Sequence, residues 1–340
     1  MGVEFLRVEG EEAFEAAAVA LLRRQVEKVR VFGDFVRAVR GGGGWPERLE
    51  DWPALPVEAF RRGEVWGGDP GGARGYFETS GTTGGERGRH WFTSLESYRA
   101  SVVAGWLRFM PEVQGHEWVS LIPSVELRPH SSLARMVAIL AEEVGGGRKV
   151  PIFVDGDFGL EVKGFGAWLR EREGREVMLF ATTFAIAAWC EAWRDAGGGP
   201  IRLGPGSVLF ETGGFKGRGR ELEPGAFLEL VEGVLGLGPS QIWNEYGMTE
   251  LFSQGYRRRD QALHRVPPWV RVRIRDPETG ELCAEGERGL IEVIDLANQE
   301  SVAAVGTRDV GVWRGEGFEV LGRVAGAEAR GCSLPYGLIG

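Results

Sequence analysis

The chain has 340 residues, 43% of them apolar and 26% charged, with a net charge of −9; this describes a globular protein of one large or two ordinary domains, and the acidic balance excludes a broad footprint on nucleic acid. No apolar run reaches the roughly 20 residues of a transmembrane helix, the acidic start MGVEFLRVEGEEAFEA lacks the basic and apolar regions of a secretory signal, and Leu6 stands where a myristoylation signal needs Ser or Thr. A cytoplasmic protein with no membrane partner is expected. Cys190, Cys283 and Cys332 lie far apart with no CxxC pair, which gives little support to a disulfide framework or zinc site. The lysines are Lys28, Lys149, Lys163 and Lys216, with none after Lys216.

In chain order, residues 11–39 predict a helix, because Phe14, Ala17, Ala18, Leu21, Leu22, Val26 and Val29 recur at three and four residues and Gly41 to Gly44 stop the pattern. The prolines of DWPALPVEAF (51–60) predict an extended connector ending in a short helix. WVSLIP (118–123), VPIFV (150–154), VMLFAT (177–182), SVLFET (207–212) and QIWNEY (241–246) are apolar on both sides, as buried, mostly parallel strands are. Helices are expected at 131–144, 160–173, 183–196 and 221–236, the third capped by Thr182 or Thr183 and ended by Gly197 to Gly199. This βαβ succession implies an α/β fold of layered, mostly parallel sheets with helices. From about 269 the alternating WVRVRIRD and RGLIEVID, separated by PETG, together with FEVLGRV, predict an antiparallel subdomain. The division expected is 1–60 helical segment and connector, 61–268 α/β core, 269–322 antiparallel subdomain of the same unit, and 323–340 tail.

Three stretches carry chemistry. In YFETSGTTGGERGRHWF a strand-like entry leads into Thr79-Ser80-Gly81-Thr82-Thr83-Gly84, with Arg87 and Arg89 nearby. Glycines admit close approach of an anion, and hydroxyls and N–H groups can wrap phosphate oxygens, although a polar hairpin turn has the same composition. The GxxxxGK[ST] of a Walker loop is absent. In IWNEYGMTEL a buried strand runs into Tyr246-Gly247 and then Thr249-Glu250. Ligands of open α/β sheets gather at such carboxyl ends, where an aromatic face can stack on a base and a carboxylate can hold Mg²⁺; a plain strand-to-helix turn capped by Thr249 is the alternative. In GTRDVGVW and the later GRV, Asp309 between two turns can accept ribose hydroxyls with Arg323 donating to the same sugar, or the two can form an ordinary surface hairpin with a salt bridge.

Taken in order, TSGTTG, YGMTE, TRDVG and GR resemble the motifs of the adenylate-forming superfamily of acyl-CoA ligases, luciferases and adenylation domains, with Arg308 in place of a glycine and without the lysine many members place after the phosphate loop. The resemblance implies the large N-terminal domain of those enzymes, with the small C-terminal domain absent or truncated, and ATP and Mg²⁺ as cofactors. It implies that Thr79, Ser80, Gly81, Thr82, Thr83 and Gly84 hold ATP phosphates. It puts Tyr246 and Gly247 on adenine with Gly213 and Gly214 lining the pocket, Thr249 at the α-phosphate, Glu250 on Mg²⁺, and Asp309 and Arg323 on the ribose. With PALPVEAF, LRPHSSLARM, GGFKG and the tail GRVAGAEARGCSLPYGLIG, the chain resembles the LuxE-type acyl-protein synthetases, which make acyl-AMP, move the acyl group to their own cysteine and pass it to a reductase. That implies a carboxylic acid of the fatty class as substrate, an acyl reductase or other acceptor protein as partner, and Cys332 as nucleophile. Cys332 lies nine residues past Arg323, within roughly 30 Å of extended chain, and Arg330 can favour its thiolate; an inert residue in a turn is the alternative. Lys216 either replaces the lysine that the small C-terminal domain of the superfamily carries or is a solvated charge, and His130 either lines an acyl pocket or starts a helix. An acyl- or aryl-CoA ligase and a non-catalytic nucleotide-binding subunit are the competing functions.

Overall fold

A computed structural model describes residues 3–42, 44–68, 72, 75–79, 87–213 and 222–324. The chain opens with α1 (Glu11–Lys28), α2 (Arg30–Arg40), β1 (Leu55–Pro56) and α3 (Ala59–Arg62), followed by the hairpin β2 (Gly75–Glu78) and β3 (Arg89–Phe92), and then α4 (Glu96–Phe109). Next come β4 (Glu117–Ser120), α5 (Ser132–Glu143), α6 (Val162–Arg170), β5 (Val177–Thr182), α7 (Thr183–Asp195), β6 (Val208–Thr212), α8 (Pro224–Leu235), β7 (Ile242–Tyr246) and β8 (Gly255–Arg258). The last strands are β9 (Val270–Arg275), β10 (Arg288–Asp295), β11 (Ala304–Arg314) and β12 (Gly317–Arg323). They form two compact units, one of residues 1–108, 248–254 and 263–340, the other of 109–247 and 255–262.

The second unit is the α/β half. Its sheet runs β4-β5-β6-β7-β8, parallel through β7 and closed by antiparallel β8. Both faces of its strands are apolar, as strands covered on both sides must be. Val119, Leu179 and Leu209 join Phe165, Trp189, Ile186 and Val231 in one core. On the strands' other side chains Trp118 meets Phe180, and Phe180 meets Phe210 edge-on at 5.8 Å. Thr182 caps α7 by accepting the Ala185 N–H at 3.1 Å, and Gly236, at φ 69°, ends α8 in the left-handed conformation.

The first unit carries the antiparallel sheet β9-β10-β11, with β12 on β11 and short β1 parallel to β11. The turn between β9 and β10 is set by Asp276, whose carboxylate accepts the N–H groups of Glu278 and Thr279. Helix α1 buries Phe14, Ala18, Leu21, Leu22 and Val26, and also Gln25, whose amide donates to the Asn298 carbonyl at 2.7 Å and accepts the Ala303 N–H at 2.9 Å.

Two sequence expectations are corrected. The helix expected over 11–39 is two helices, because Val29 takes an extended conformation between them (φ −95°, ψ 94°). The chain turns so tightly there that a Cβ on Gly33 would stand 2.3 Å from the Val26 carbonyl. VPIFV is not a strand of the sheet. It makes only isolated bridges, Ser120 with Ile152 and Val154 with Leu160, because Pro151 has no N–H to give and Asp155 folds the following residues into a loop by accepting the Asp157 and Gly159 N–H groups.

Candidate active site

The β2–β3 hairpin carries the Ser/Thr/Gly stretch. Thr79 closes its base from one side: its N–H donates to the Gly88 carbonyl at 2.9 Å and its hydroxyl accepts the Gly88 N–H at 2.8 Å. Ser80, Gly81, Thr82, Thr83 and Gly84 lie outside the described residues, as do Gly214, Lys216 and Cys332.

In the same unit, Thr249 and Glu250 occupy a turn rather than the start of a helix. Glu250 is buried, and its carbonyl accepts the Asn298 side-chain N–H at 2.8 Å. Buried His90, on β3, faces the Thr249 carbonyl through Nδ1 at 2.8 Å and the Ser301 hydroxyl through Nε2 at 2.7 Å. Its ring stacks on Phe252 at 4.6 Å between centroids and meets Phe60 edge-on. Burial pulls the His90 pKa down to about 4, so the ring is neutral near pH 7. Since a carbonyl only accepts, Nδ1 carries the proton and Nε2 accepts from Ser301. Neither His90 nor Asn298 stood out in the sequence, although a histidine in an apolar strand directly after a phosphate-loop pattern was the available signal.

Asp309 is within β11, not between two turns, and pairs in register with Arg323 at the end of β12. The reason is local: alternating Val310 and Val312, followed by the aromatic Trp313, extend the strand through the aspartate. The Arg323 guanidinium stands 3.1 Å from the Asp309 carboxylate, so these two candidates are brought together. Arg308, in the position of a family glycine, is 3.7 Å from Glu58.

In the α/β unit, β6 and β7 end side by side, Thr212 opposite Glu245. Gly213, exposed at φ 75°, follows β6, and half-buried Tyr246 with Gly247 follows from β7. Behind these ends Glu211 is fully buried. One of its oxygens accepts Arg259 Nε and Asn244 Nδ2, both at 2.8 Å, and the other accepts the Thr183 hydroxyl. Thr183 also stands 2.9 Å from the Gly213 carbonyl, and the Thr212 hydroxyl donates to Glu245. His130 is exposed in the turn before Ser131, the cap of α5. Among the described residues no group of three or more His, Cys, Asp or Glu could hold a metal ion, and no helix is long and apolar enough to cross a membrane.

The architecture is that of the adenylate-forming ligases. A 2-hydroxyisobutyryl-CoA ligase in the postadenylation state superimposes with a TM-score of 0.64 over 92% of this chain and 67% of its own, at 15% identity, and ATP-bound MatB from Rhodopseudomonas palustris with 0.52 over 73% and 47%, at 16% identity. The family description "Acyl-protein synthetase, LuxE" matches residues 161–337, and the chain belongs to that family. A long-chain-fatty-acid–luciferin-component ligase of Aliivibrio fischeri is 26% identical over 176 residues, 47% of this chain and 45% of that protein. A protein of the same name from Vibrio harveyi is 25% identical over 175 residues, 48% of this chain and 45% of its own length. The chain thus matches less than half the length of these relatives.

Proposed function

We propose that this protein activates a carboxylic acid, of the fatty class, with ATP and transfers the acyl group to a thiol. The observation that carries the reading is the extent of the family match, which runs through Tyr246, Thr249, Glu250, Asp309, Arg323 and Cys332 in one stretch. An acid carboxylate oxygen attacks the α-phosphorus of ATP, the bond to the β-phosphate oxygen breaks, and pyrophosphate leaves. The Cys332 thiolate then attacks the acyl carbon of the mixed anhydride, the bond to the AMP oxygen breaks, and AMP leaves.

The residues suit this chemistry at several points. The Thr79 hydroxyl proton and the hydroxyls and backbone N–H groups of the five residues after it suit phosphate oxygens, Thr249 offers a hydroxyl for the α-phosphate, and Asp309 with Arg323 an acceptor and a donor for the ribose. Tyr246 offers a half-buried ring for adenine, and Gly247 and Gly213 carry no side chain to compete for the space; Gly214 is assigned to the same pocket. A magnesium ion is held in such sites by one or two carboxylates plus phosphate and water. Glu250, a buried carboxylate on a pinned turn, fits that need, whereas a closed zinc cage would need imidazole or thiolate ligands. Bound there, the ion neutralises charge developing on the phosphates. Lys216 is assigned to the same phosphates and His130 to the acid side of the site. An acyl reductase or another thiol- or amine-bearing protein then takes the acyl group.

The test is incubation with ATP, Mg²⁺ and a panel of labelled acids, read by ATP–pyrophosphate exchange and intact mass with and without CoA. Acid-dependent exchange and a covalent acyl adduct are expected. Exchange with acyl-CoA and no adduct assigns a CoA ligase instead, and nucleotide binding without exchange for any acid assigns a non-catalytic subunit.

A further inference from the structure

The backbone around Glu250 is held by side chains from two distant parts of the sequence. From 295–298, Asn298 donates to the Glu250 carbonyl at 2.8 Å and accepts the Phe252 N–H at 3.0 Å. Asp295 accepts the N–H groups of Phe252 and Ser253 at 2.9 and 2.8 Å and the Ser253 hydroxyl at 2.6 Å. These side chains are fully buried, so each bond lost leaves a group without water to replace the partner. From β3 comes His90, on the strand that leaves the Ser/Thr/Gly stretch, gripping the Thr249 carbonyl while Ser301 holds its far nitrogen.

We propose that His90 is a positioning residue which, through the Thr249 carbonyl, fixes the turn bearing Glu250 to the strand that follows the phosphate loop. The proposal rests on the assignment of Glu250 to magnesium above. His90 touches neither nucleotide nor metal in this scheme. It makes the turn preformed, so that no binding energy is spent on ordering it. The sequence separations, 159 residues to Thr249 and 211 to Ser301, make it a tertiary lock between segments. The ring suits the task because one neutral imidazole donates at one end, accepts at the other and stacks flat on Phe252.

The experiment compares His90→Phe, which keeps an aromatic ring against Phe252 and loses both hydrogen bonds, with His90→Asn, whose amide sits where Nδ1 sits. Amide hydrogen exchange over 248–254 is read by mass spectrometry without ligand, and the Mg²⁺ dependence of pyrophosphate exchange is read separately. In His90→Phe the 248–254 amides should exchange about tenfold faster, the effect of one buried hydrogen bond. The half-saturating Mg²⁺ should rise while KM for the acid stays put, and His90→Asn should retain most of both properties. Ser301→Ala, milder and safer for folding, should move both readouts the same way by less. Unchanged protection in His90→Phe and Ser301→Ala overturns the proposal, as does a His90→Asn protein as poorly protected as His90→Phe. Lost protection in His90→Phe alongside a wild type that performs no pyrophosphate exchange supports the lock and rejects the adenylation reading.

Discussion

The roles proposed for Glu250 and Cys332 concern different bonds, so substitution should separate them. On the proposed role, Glu250→Gln would remove a metal contact at a developing phosphate charge, an interaction of several kcal/mol; pyrophosphate exchange should fall by orders of magnitude with an unchanged melting curve. Cys332→Ser should keep exchange and lose the hydroxylamine-sensitive acyl adduct, because a hydroxyl is hardly ionised at neutral pH. Cys190→Ala and Cys283→Ala should keep the adduct. Burial raises the thiol pKa at Cys190, and burial with Asp276 and Glu287 nearby raises it at Cys283, so neither offers a ready thiolate. His90 adds a pH dependence. Its folded pKa, about 4, is below the ordinary 6.5, so between those values the unfolded chain binds the extra proton. Stability supplied by neutral His90 is therefore full above pH 6.5 and declines as pH falls toward 4, at up to about 1.4 kcal/mol per pH unit. Asp295, its pKa raised by burial, works in the opposite sense in acid, so the clean measurement is wild type minus His90→Phe in urea melts across that range. A flat difference would falsify this assignment. The Ser/Thr/Gly, Tyr-Gly and Thr-Glu stretches stand out in the sequence because their residues are neighbours along the chain. His90 and Asn298 do not, because what they do is defined by partners more than a hundred positions or some fifty positions away.

The elements most legible in the sequence are the parallel strands at 177–182, 207–212 and 241–246, whose apolar residues fall on both faces and whose polar residues gather at the strand ends. VPIFV has the same composition and fails as a strand, because its backbone donors and acceptors go to the end of β4 and to its own loop. The helix break at Val29 was equally hidden: apolar spacing reports which face is buried, not whether the axis continues past it. Element ends hold a different kind of information. Glu211 ties β6 to β7 through Asn244, to the start of α7 through Thr183 and to the segment after β8 through Arg259. Glu211→Gln leaves the mostly buried Arg259 guanidinium without its countercharge, and should lower stability by about 3 kcal/mol. Replacing both by Met should recover much of that loss, since removing a buried pair together is far milder than breaking it. Chemical denaturation of the two variants checks the pair.

At the scale of the molecule, the unit holding the antiparallel sheet draws on three separate stretches of chain, and the α/β unit on two. Discontinuity of this kind has no local signature; composition shifts mark where a pattern changes, not which patterns pack together. The antiparallel character of 270–323 is nonetheless plain in its alternation, and so is the α/β character of what precedes it. The first forty residues are a structural part of the sheet-bearing unit. Phe14, Leu21, Leu22, Val26, Phe32 and Val36 are buried, and Gln25 secures 298–303. A protein lacking residues 1–40 should therefore lose the cooperative melt of that unit, while the internal lattice of β4 to β8 keeps its own hydrogen bonds. Circular dichroism melts joined to hydrogen exchange resolve the two.

The Gln25 amide reaches across 273 and 278 residues to its partners. Ribosomes add roughly 5–20 residues each second. Helix α1 thus leaves the ribosome and waits some tens of seconds before Asn298 and Ala303, the partners of its buried Gln25, exist. Throughout that interval the α/β unit, whose parts span 109–262, can complete itself. Birth order and assembly order run opposite ways: the first helices made are among the last to be housed. A nascent chain stalled with its first 270 residues outside the ribosome should accordingly present a finished α/β unit and a bare amphipathic helix, the form that holdase chaperones bind. Slowing translation after residue 262 should lengthen that exposure and lower the soluble yield, without changing one contact of the finished protein.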